Sequence, residues 1–306
     1  MSNLAALLRQ GEFVVTAELN PPKSASGDAV KRRAGVLKGN VDAVNVTDSN
    51  RSVPAMAAIP AALLVREAGV EPVVQITGRD RNRIALQADL LGAAALGLDN
   101  FLFMSGDDPK HGNHPDAVHV KDLDGVGLIK MAVTMRDDHR FLSGDEIRQA
   151  PEYFIGATSS PFTKPMSADL ERTIEKINAG ADFVQTQPVF DLATFSQWLA
   201  ELRRIGGGRE AAVIAGVLVL RSADQAERLV RVPGIALEKN VLDRLKQSAD
   251  GEQEGIVIAV ETVKSLRALP GVHGVHIYAI EWPEAVPLVA DRAGLLPRPK
   301  VKESNA

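Results

Sequence analysis

Cysteine is absent from all 306 residues, which removes disulfides, thiolate metal sites, cysteine-ligated iron–sulfur clusters and a cysteine nucleophile together. Positive charge is not in excess either. Lys and Arg number 35 against 39 Asp and Glu, a formal net charge of -4. No global positive field exists to displace counterions from a nucleic-acid backbone, so nucleic acid is not expected as a partner. Long apolar runs are missing too. The longest nearly apolar stretch, 54–65, has 12 residues and contains two prolines, where a membrane span needs about 20. Residues 1–12 carry one Arg and a five-residue apolar stretch, 4–8, too short for the core of a signal peptide. These absences predict a soluble, cytoplasmic protein with no membrane partner.

Common catalytic signatures are also lacking. There is no Walker A sequence and no GxSxG nucleophile elbow. Residues 206–211, GGGREA, match a relaxed dinucleotide fingerprint, but they precede an apolar run instead of following one and read as a loop. The stretch 110–119, KHGNHPDAVH, is rich in histidine without the helical HExxH spacing. It reads as a solvated loop, and no metal is expected.

What is present is regular. Hydrophobic residues make up 45% and charged residues 24%, ordinary for a globular chain that buries about three quarters of its unfolded surface. Short β-branched runs alternate with longer Ala/Leu-rich segments of helical spacing. Eight runs read as strands: 12–19, 41–48, 70–77, 100–106, 153–159, 182–190, 211–220 and 272–280. Helical spacing covers 27–37, 54–67, 82–96, 123–136, 168–179, 192–204, 223–230, 240–247, 252–269 and 284–294, with Gly69, Gly97, Gly180 and Gly206 placed as helix stops. Strands buried on both faces should be almost continuously apolar, and AAVIAGVLVL at 211–220 is. The expected fold is α/β, a (βα)8 TIM barrel with additional helices, as one domain over 1–306 with a short lead and a frayed tail at 297–306. An open doubly wound sheet is the alternative. The long segments 107–153 and 235–272 predict binding loops or added helices.

In a barrel, chemistry sits at the C-terminal ends of the strands. There the sequence places Glu18 after an apolar run, either as a general acid raised by burial or as a partner of Lys23. Gly106 and Asp107 read as a close backbone approach beside an acceptor, or as a turn in Gly-Asp-Asp-Pro. Gln75, Thr77, Thr158, Ser159, Ser160 and the pair Gln185 and Gln187 add amides and hydroxyls. Such a rim, with no nucleophile and no metal cluster, suits an organic cofactor.

With these residues in place, the chain resembles the methylenetetrahydrofolate reductase family from about residue 12 to 296. The resemblance is carried by TAELNPPK at 16–23, VVQITGRDRNRIALQADLLGAAALG at 73–97, SGDDP at 105–109, ADLERTIEKINAGADFVQTQPVFD at 168–191, AGVLVL at 215–220 and HIYAIEWPEAVPLVADRAGL at 276–295. It implies a short, single-domain flavoenzyme that reduces 5,10-methylenetetrahydrofolate to 5-methyltetrahydrofolate, or runs the reverse oxidation, by hydride transfer through FAD. Glu18 then matches the general acid, and Asp107 the carboxylate beside flavin and folate. Gln187 matches the amide that contacts the pterin, and Tyr278 is grouped with it as substrate-binding. Asp169 and Lys176 match residues holding the FAD ribose and phosphate, and Gln75, Thr77, Ser105, Gly106, Thr158 and Ser160 complete the cofactor set. The family's Arg before Gly-Asp is Ser105 here, a small residue follows Leu220-Arg221 where an aromatic stacks on nicotinamide, and Glu281-Trp282 replaces Asn-Arg. These departures leave NADH, NADPH or a partner subunit as electron donor. A homo-oligomer is compatible with the apolar helices. A barrel lyase or aldolase, or a noncatalytic or electron-relay subunit of a folate-linked complex, are the competing readings.

Overall fold

In the computed structural model, which describes residues 1–206, 209–229 and 234–302, the eight apolar runs become eight parallel strands. They are β1 (Val14–Leu19), β2 (Ala43–Val46), β3 (Pro72–Thr77), β4 (Asn100–Met104), β5 (Phe154–Ser159), β6 (Phe183–Pro188), β7 (Ala212–Leu218) and β8 (Gly274–Tyr278). Each pairs with its neighbour in sequence, and β8 closes on β1 through Val14↔Gly274 to Ala17↔Ile277. Closure excludes the open sheet. The helices are α1 (Asn3–Arg9), α2 (Gly27–Leu37), α3 (Ala58–Glu67), α4 (Arg83–Ala95), α5 (Gly125–Asp137), α6 (Met166–Asn178), α7 (Leu192–Ile205), α8 (Ala223–Leu229), α9 (Lys239–Gln247), α10 (Gly251–Ala268) and α11 (Ala285–Arg292). No helix among the described residues is long and apolar enough to cross a membrane.

Three expectations change. The helix expected over 54–67 starts at Ala58, because the preceding segment is drawn onto the loop after β1, where the Met56 N–H donates to the Pro22 carbonyl. The tail expected to fray is anchored as far as Lys302. Arg298 pairs with Asp42 at 2.6 Å and donates to the Phe13 carbonyl, and the Lys302 amine reaches Glu12. Residues 303–306, Val230 of the expected helix 223–230 and Gly207–Gly208 of the expected loop lie outside the described residues. Finally, the lead is a helix. Ser2 caps α1 by accepting the Ala5 N–H, and Glu71 accepts the N–H groups of Asn3 and Leu4. The pattern Leu4, Leu7, Leu8 carried that signal at helical spacing.

Inward-facing side chains grade from apolar to polar along the barrel axis. At the N-terminal end, Leu4 and Leu7 of α1 plug the barrel against Val14, Ala43, Val73, Phe154, Phe183 and Ile214, each buried leucine contributing about 1.5–3 kcal/mol. Space there is tight: a Cβ at Gly156 would lie 2.2 Å from the Phe183 ring. One level up the interior is polar and fully buried, with Thr16 Oγ1 on His276 Nδ1 at 2.8 Å and Asn45 Nδ2 donating to Gln185 Oε1 at 2.9 Å. Above that level the barrel opens.

Candidate active site

The mouth at the C-terminal ends of the strands is a cavity of about 670 Å³. Of the residues assigned from sequence, Glu18, Gln75, Asp107, Thr158, Gln187 and Tyr278 line it together. Each comes from a different strand or its following loop. The period of two along β1 turns Glu18 inward above Thr16, and the surrounding protein pushes its carboxyl up from 4.5 to about 7 because burial disfavours the charge. Asn20 and the Arg51 guanidinium oppose that rise. Lys23 lines the cavity but makes no ion pair with Glu18, so the salt-bridged alternative does not hold. Asn20 is the hydrogen-bond partner of Glu18 among the described residues, with Nδ2 donating to Glu18 Oε1 at 3.4 Å.

Asp107 stands across the mouth, exposed, after Gly106 takes the left-handed φ of +87°. Its Oδ2 accepts the Arg51 N–H at 3.1 Å, and its carbonyl accepts from Ser52 Oγ at 2.8 Å. Among the described residues none donates to Oδ1. The loop it clasps, Asn50–Ser52, is a 3-10 turn in which Arg51 and Ser52 have positive φ. Gln187 lines the mouth at a register shift between Gln185 and Pro188, where β6 no longer matches β7 residue for residue. Tyr278 donates to the Thr186 carbonyl at 3.2 Å, and its ring stands edge-on to His276. Burial raises the Tyr278 hydroxyl and pushes His276 down to about 3, so both are neutral.

The other assigned residues do not line this cavity. Thr77 donates its N–H and hydroxyl to Asp48, Ser105 Oγ accepts the Gly125 N–H, and Gly106 packs so closely that a Cβ would lie 2.9 Å from Arg79 Cβ. Asp169 is saturated: it accepts from Ser159 Oγ, the Ser160 N–H, Trp198 Nε1 and Thr173 Oγ1. Lys176 Nζ donates to the Thr158 carbonyl at 2.6 Å, and burial pulls its ammonium down. Together Asp169 and Lys176 pin the end of β5.

Sequence reading missed Asn20, Arg51, Arg33 and Thr47 in the mouth, and Arg79 beside it. Asn20 and Lys23 stand in the quoted motif, but Arg51 follows β2, whose end offered no motif. Arg79 is almost buried, bound to Asp80 and Ser52. With the Val120 N–H on the Arg79 carbonyl and Gly112 packed against the Ser52 backbone, it knits the histidine-rich loop to the β2 loop. Among the described residues no group of three or more His, Asp or Glu is placed to hold a metal ion.

One family model, methylenetetrahydrofolate reductase, matches residues 3–294. The chain belongs to that family. Similar sequences include methylenetetrahydrofolate reductase 1 of Schizosaccharomyces pombe, 27% identical over 153 residues, 47% of this chain and 25% of that protein. The probable methylenetetrahydrofolate reductase (NADPH) of Caenorhabditis elegans is 24% identical over 310 residues, 94% of this chain and 43% of that protein. The chain thus spans less than half the length of these relatives. Among solved structures, an uncharacterized protein from Clostridium thermocellum, described as binding two copies of 5-methyl-5,6,7,8-tetrahydrofolic acid, superposes with a TM-score of 0.68 at 15% identity. That match covers 96% of this chain and 100% of the other and shows the shared fold.

Around the positions expected to differ within the family, the structure shows a connected set of contacts. Arg221 stacks on the Trp282 ring at 5.1 Å and pairs with Glu252 at 2.6 Å, while Glu281 lines the mouth with a φ of +51°. The wall on that side is apolar, formed by Leu218, Leu229, Ile235 and Ile280.

Proposed function

We propose that the mouth binds a reduced folate and interconverts 5,10-methylenetetrahydrofolate and 5-methyltetrahydrofolate. The observation that carries this reading is Glu18. A carboxyl held at about 7 in a cavity that also holds Asp107 and three glutamine amides is a proton donor beside a bed for a planar heterocycle. In the reductive direction Glu18 gives its proton to N10 as the N10–methylene bond breaks, which leaves an iminium cation on N5. A hydride from a two-electron donor then adds to the methylene carbon and completes the methyl group. Asp107 offers Oδ1 to the cation, and the amides of Gln187 and Gln75 pair with the pterin edge. The apolar wall of Leu218 and Ile280 takes the aminobenzoyl ring. Folate binding by the Clostridium thermocellum protein of like fold supports the same assignment.

The family resemblance implies FAD as the carrier between NADH or NADPH and the folate. Gln75 and Thr158 at the cavity floor suit a planar ring. Of the residues assigned to the tail, Asp169, Thr77 and the Ser160 N–H are engaged within the protein, while Lys176 Nζ makes one hydrogen bond, to the Thr158 carbonyl, and Ser105 Oγ only accepts, from the Gly125 N–H. Lys176 and Ser105 thus keep donors that would hold a flavin phosphate, whereas the Asp169 carboxylate already accepts four protein donors and has little left for a ribose.

An aldolase would need a Schiff-base lysine inside a strand, and β1–β8 contain none. The test is anaerobic turnover of methylenetetrahydrofolate with NADH or NADPH, with and without added FAD, alongside the visible spectrum of the purified protein. Formation of 5-methyltetrahydrofolate supports the reading; no product with NADH, NADPH or chemically reduced FAD as donor overturns it in favour of a noncatalytic or relay subunit.

A further inference from the structure

Asn20 is the best-anchored polar side chain at the mouth. Its Oδ1 accepts from Thr47 Oγ1 at 2.9 Å and from Asn50 Nδ2 at 3.4 Å, and its backbone carbonyl accepts from Arg33 Nη1 at 2.7 Å. Two donors on Oδ1 fix the flip of the amide, which leaves Nδ2 for Glu18 Oε1. The anchoring groups come from the end of β2, the 3-10 turn and α2. Asp107 secures the same turn from the far side of the cavity by accepting the Arg51 N–H and the Ser52 hydroxyl proton.

We propose that Asn20, clamped by Thr47 and Asn50, is a positioning residue that orients the Glu18 carboxyl and sets the pH at which it surrenders its proton, and that Asp107 supports it through the Asn50–Ser52 turn. The inference rests on the folate reading for its catalytic meaning but not for its geometry. An amide N–H can donate to the carboxylate and so favours the charged form. Burial works the other way, and the two are opposed at Glu18. The remaining groups that face this carboxyl do not duplicate Asn20. Arg51, from the β2 loop, contributes charge without a hydrogen bond. From β8, Tyr278 and the neutral His276 beneath it lie alongside, with Tyr278 donating to Thr186 and His276 bonded to Thr16. Glu281, Lys23 and Asp107 line the same cavity, and Arg33 is held by the Asn20 carbonyl. From β6 the mouth receives the uncharged Gln185, Gln187 and Pro188.

The test reads Glu18 directly. Carboxyl infrared difference spectra between each protein and its Glu18→Gln partner give the Glu18 midpoint without any folate or cofactor. Asn20→Ala is expected to raise that midpoint by about one pH unit, the loss of one hydrogen bond to a charged group. Asn20→Asp, of equal size, should raise it further by adding a like charge. Thr47→Val leaves Asn20 in place and only unclamps it, so a smaller upward shift is expected, and it serves as the readout if Asn20 variants do not fold. In the parent enzyme the pH profile of folate turnover should follow the same midpoints. An unchanged midpoint in both Asn20→Ala and Thr47→Val overturns the inference. A shifted midpoint in a protein that turns over no folate keeps the inference about the carboxyl and overturns the folate reading instead.

Discussion

At the scale of single residues the decisive quantity is the cost of charging Glu18. Its carboxyl has a folded value of about 7 against an ordinary 4.5, so between those values the folded chain holds a proton that the unfolded chain has released. Stability therefore falls as pH rises from about 4.5 through about 7 and is level above. Glu18→Gln removes this penalty, and we expect the variant to be more stable at pH 8 by about 1–3 kcal/mol, with little difference near pH 4.5, measured by urea unfolding. The same substitution should lower reductive folate turnover by about 10²–10⁴-fold, the usual worth of a general acid. In the parent, turnover in that direction should decline as pH rises through about 7, and the profile of residual activity in Glu18→Gln should lose that limb. Greater stability with lost activity is the signature of a strained functional group, and a packing residue would show both falling together. Glu18 itself was readable from sequence, because an acidic side chain at an inward position after an apolar strand is costly to bury and offers nothing to packing. Asn20 was not readable as its partner, since the hydroxyl and amide that fix it come from Thr47 and Asn50, roughly thirty residues away.

Whole elements explain why the mouth keeps its shape. The two ends of the chain close the opposite end of the barrel: α1 fills the interior, and the segment after α11 crosses the start of β1 and β2. Arg298 and Asp42 are nearly inaccessible, with side chains 9% and 2% exposed, and Asp42 also accepts the Val15 N–H at 2.7 Å. Removing one partner of such a pair leaves the other charge buried, which costs about 3–5 kcal/mol. Arg298→Ala should destabilise the protein by about that amount in urea unfolding. Adding Asp42→Asn should recover part of the loss. Folate turnover below the unfolding range should stay at the parent level, because the tail is at the N-terminal end of the strands. The strands and most helices were legible because period-two and helical spacings are local properties. The docked tail was not, since PRPKVK has a loop-like composition and its anchor lies 256 residues away in sequence.

Across the whole molecule, the cavity is assembled from the ends of β1 and β3–β8 and from loops after the strands, the β2 loop with Thr47, Asn50 and Arg51 among them, so a ligand that fills it ties together segments from most of the chain. Binding that favours only the folded state stabilises it by about 2.7 kcal/mol at a hundredfold excess over Kd. We expect 5-methyltetrahydrofolate to raise the melting temperature by several degrees in differential scanning fluorimetry, in the parent and in Glu18→Gln alike, because that variant removes a proton donor and leaves the bed intact. A shift confined to the parent would mean that Glu18 holds the ligand and does not only protonate it.

The amino-acid sequence alone determined the class of fold and put an acidic side chain, Glu18, at the inward end of its first strand. Eight apolar runs separated by helix-length segments leave little room for any other closed parallel arrangement, and the order TAELNPP, SGDDP and VQTQP puts carboxylates and amides at strand ends. Only the tertiary structure decided which of the expected polar residues line the mouth. A barrel has two faces and three levels, and a motif cannot tell which hydrogen bonds its residues spend within the protein. Asp169 and Lys176, expected at a cofactor, spend hydrogen bonds on holding β5 and α6 together, whereas Arg51, on a turn with no motif, stands beside Glu18. The reason is physical: spacing along the chain fixes the direction of a side chain, but its free hydrogen-bonding capacity depends on neighbours brought in from distant strands.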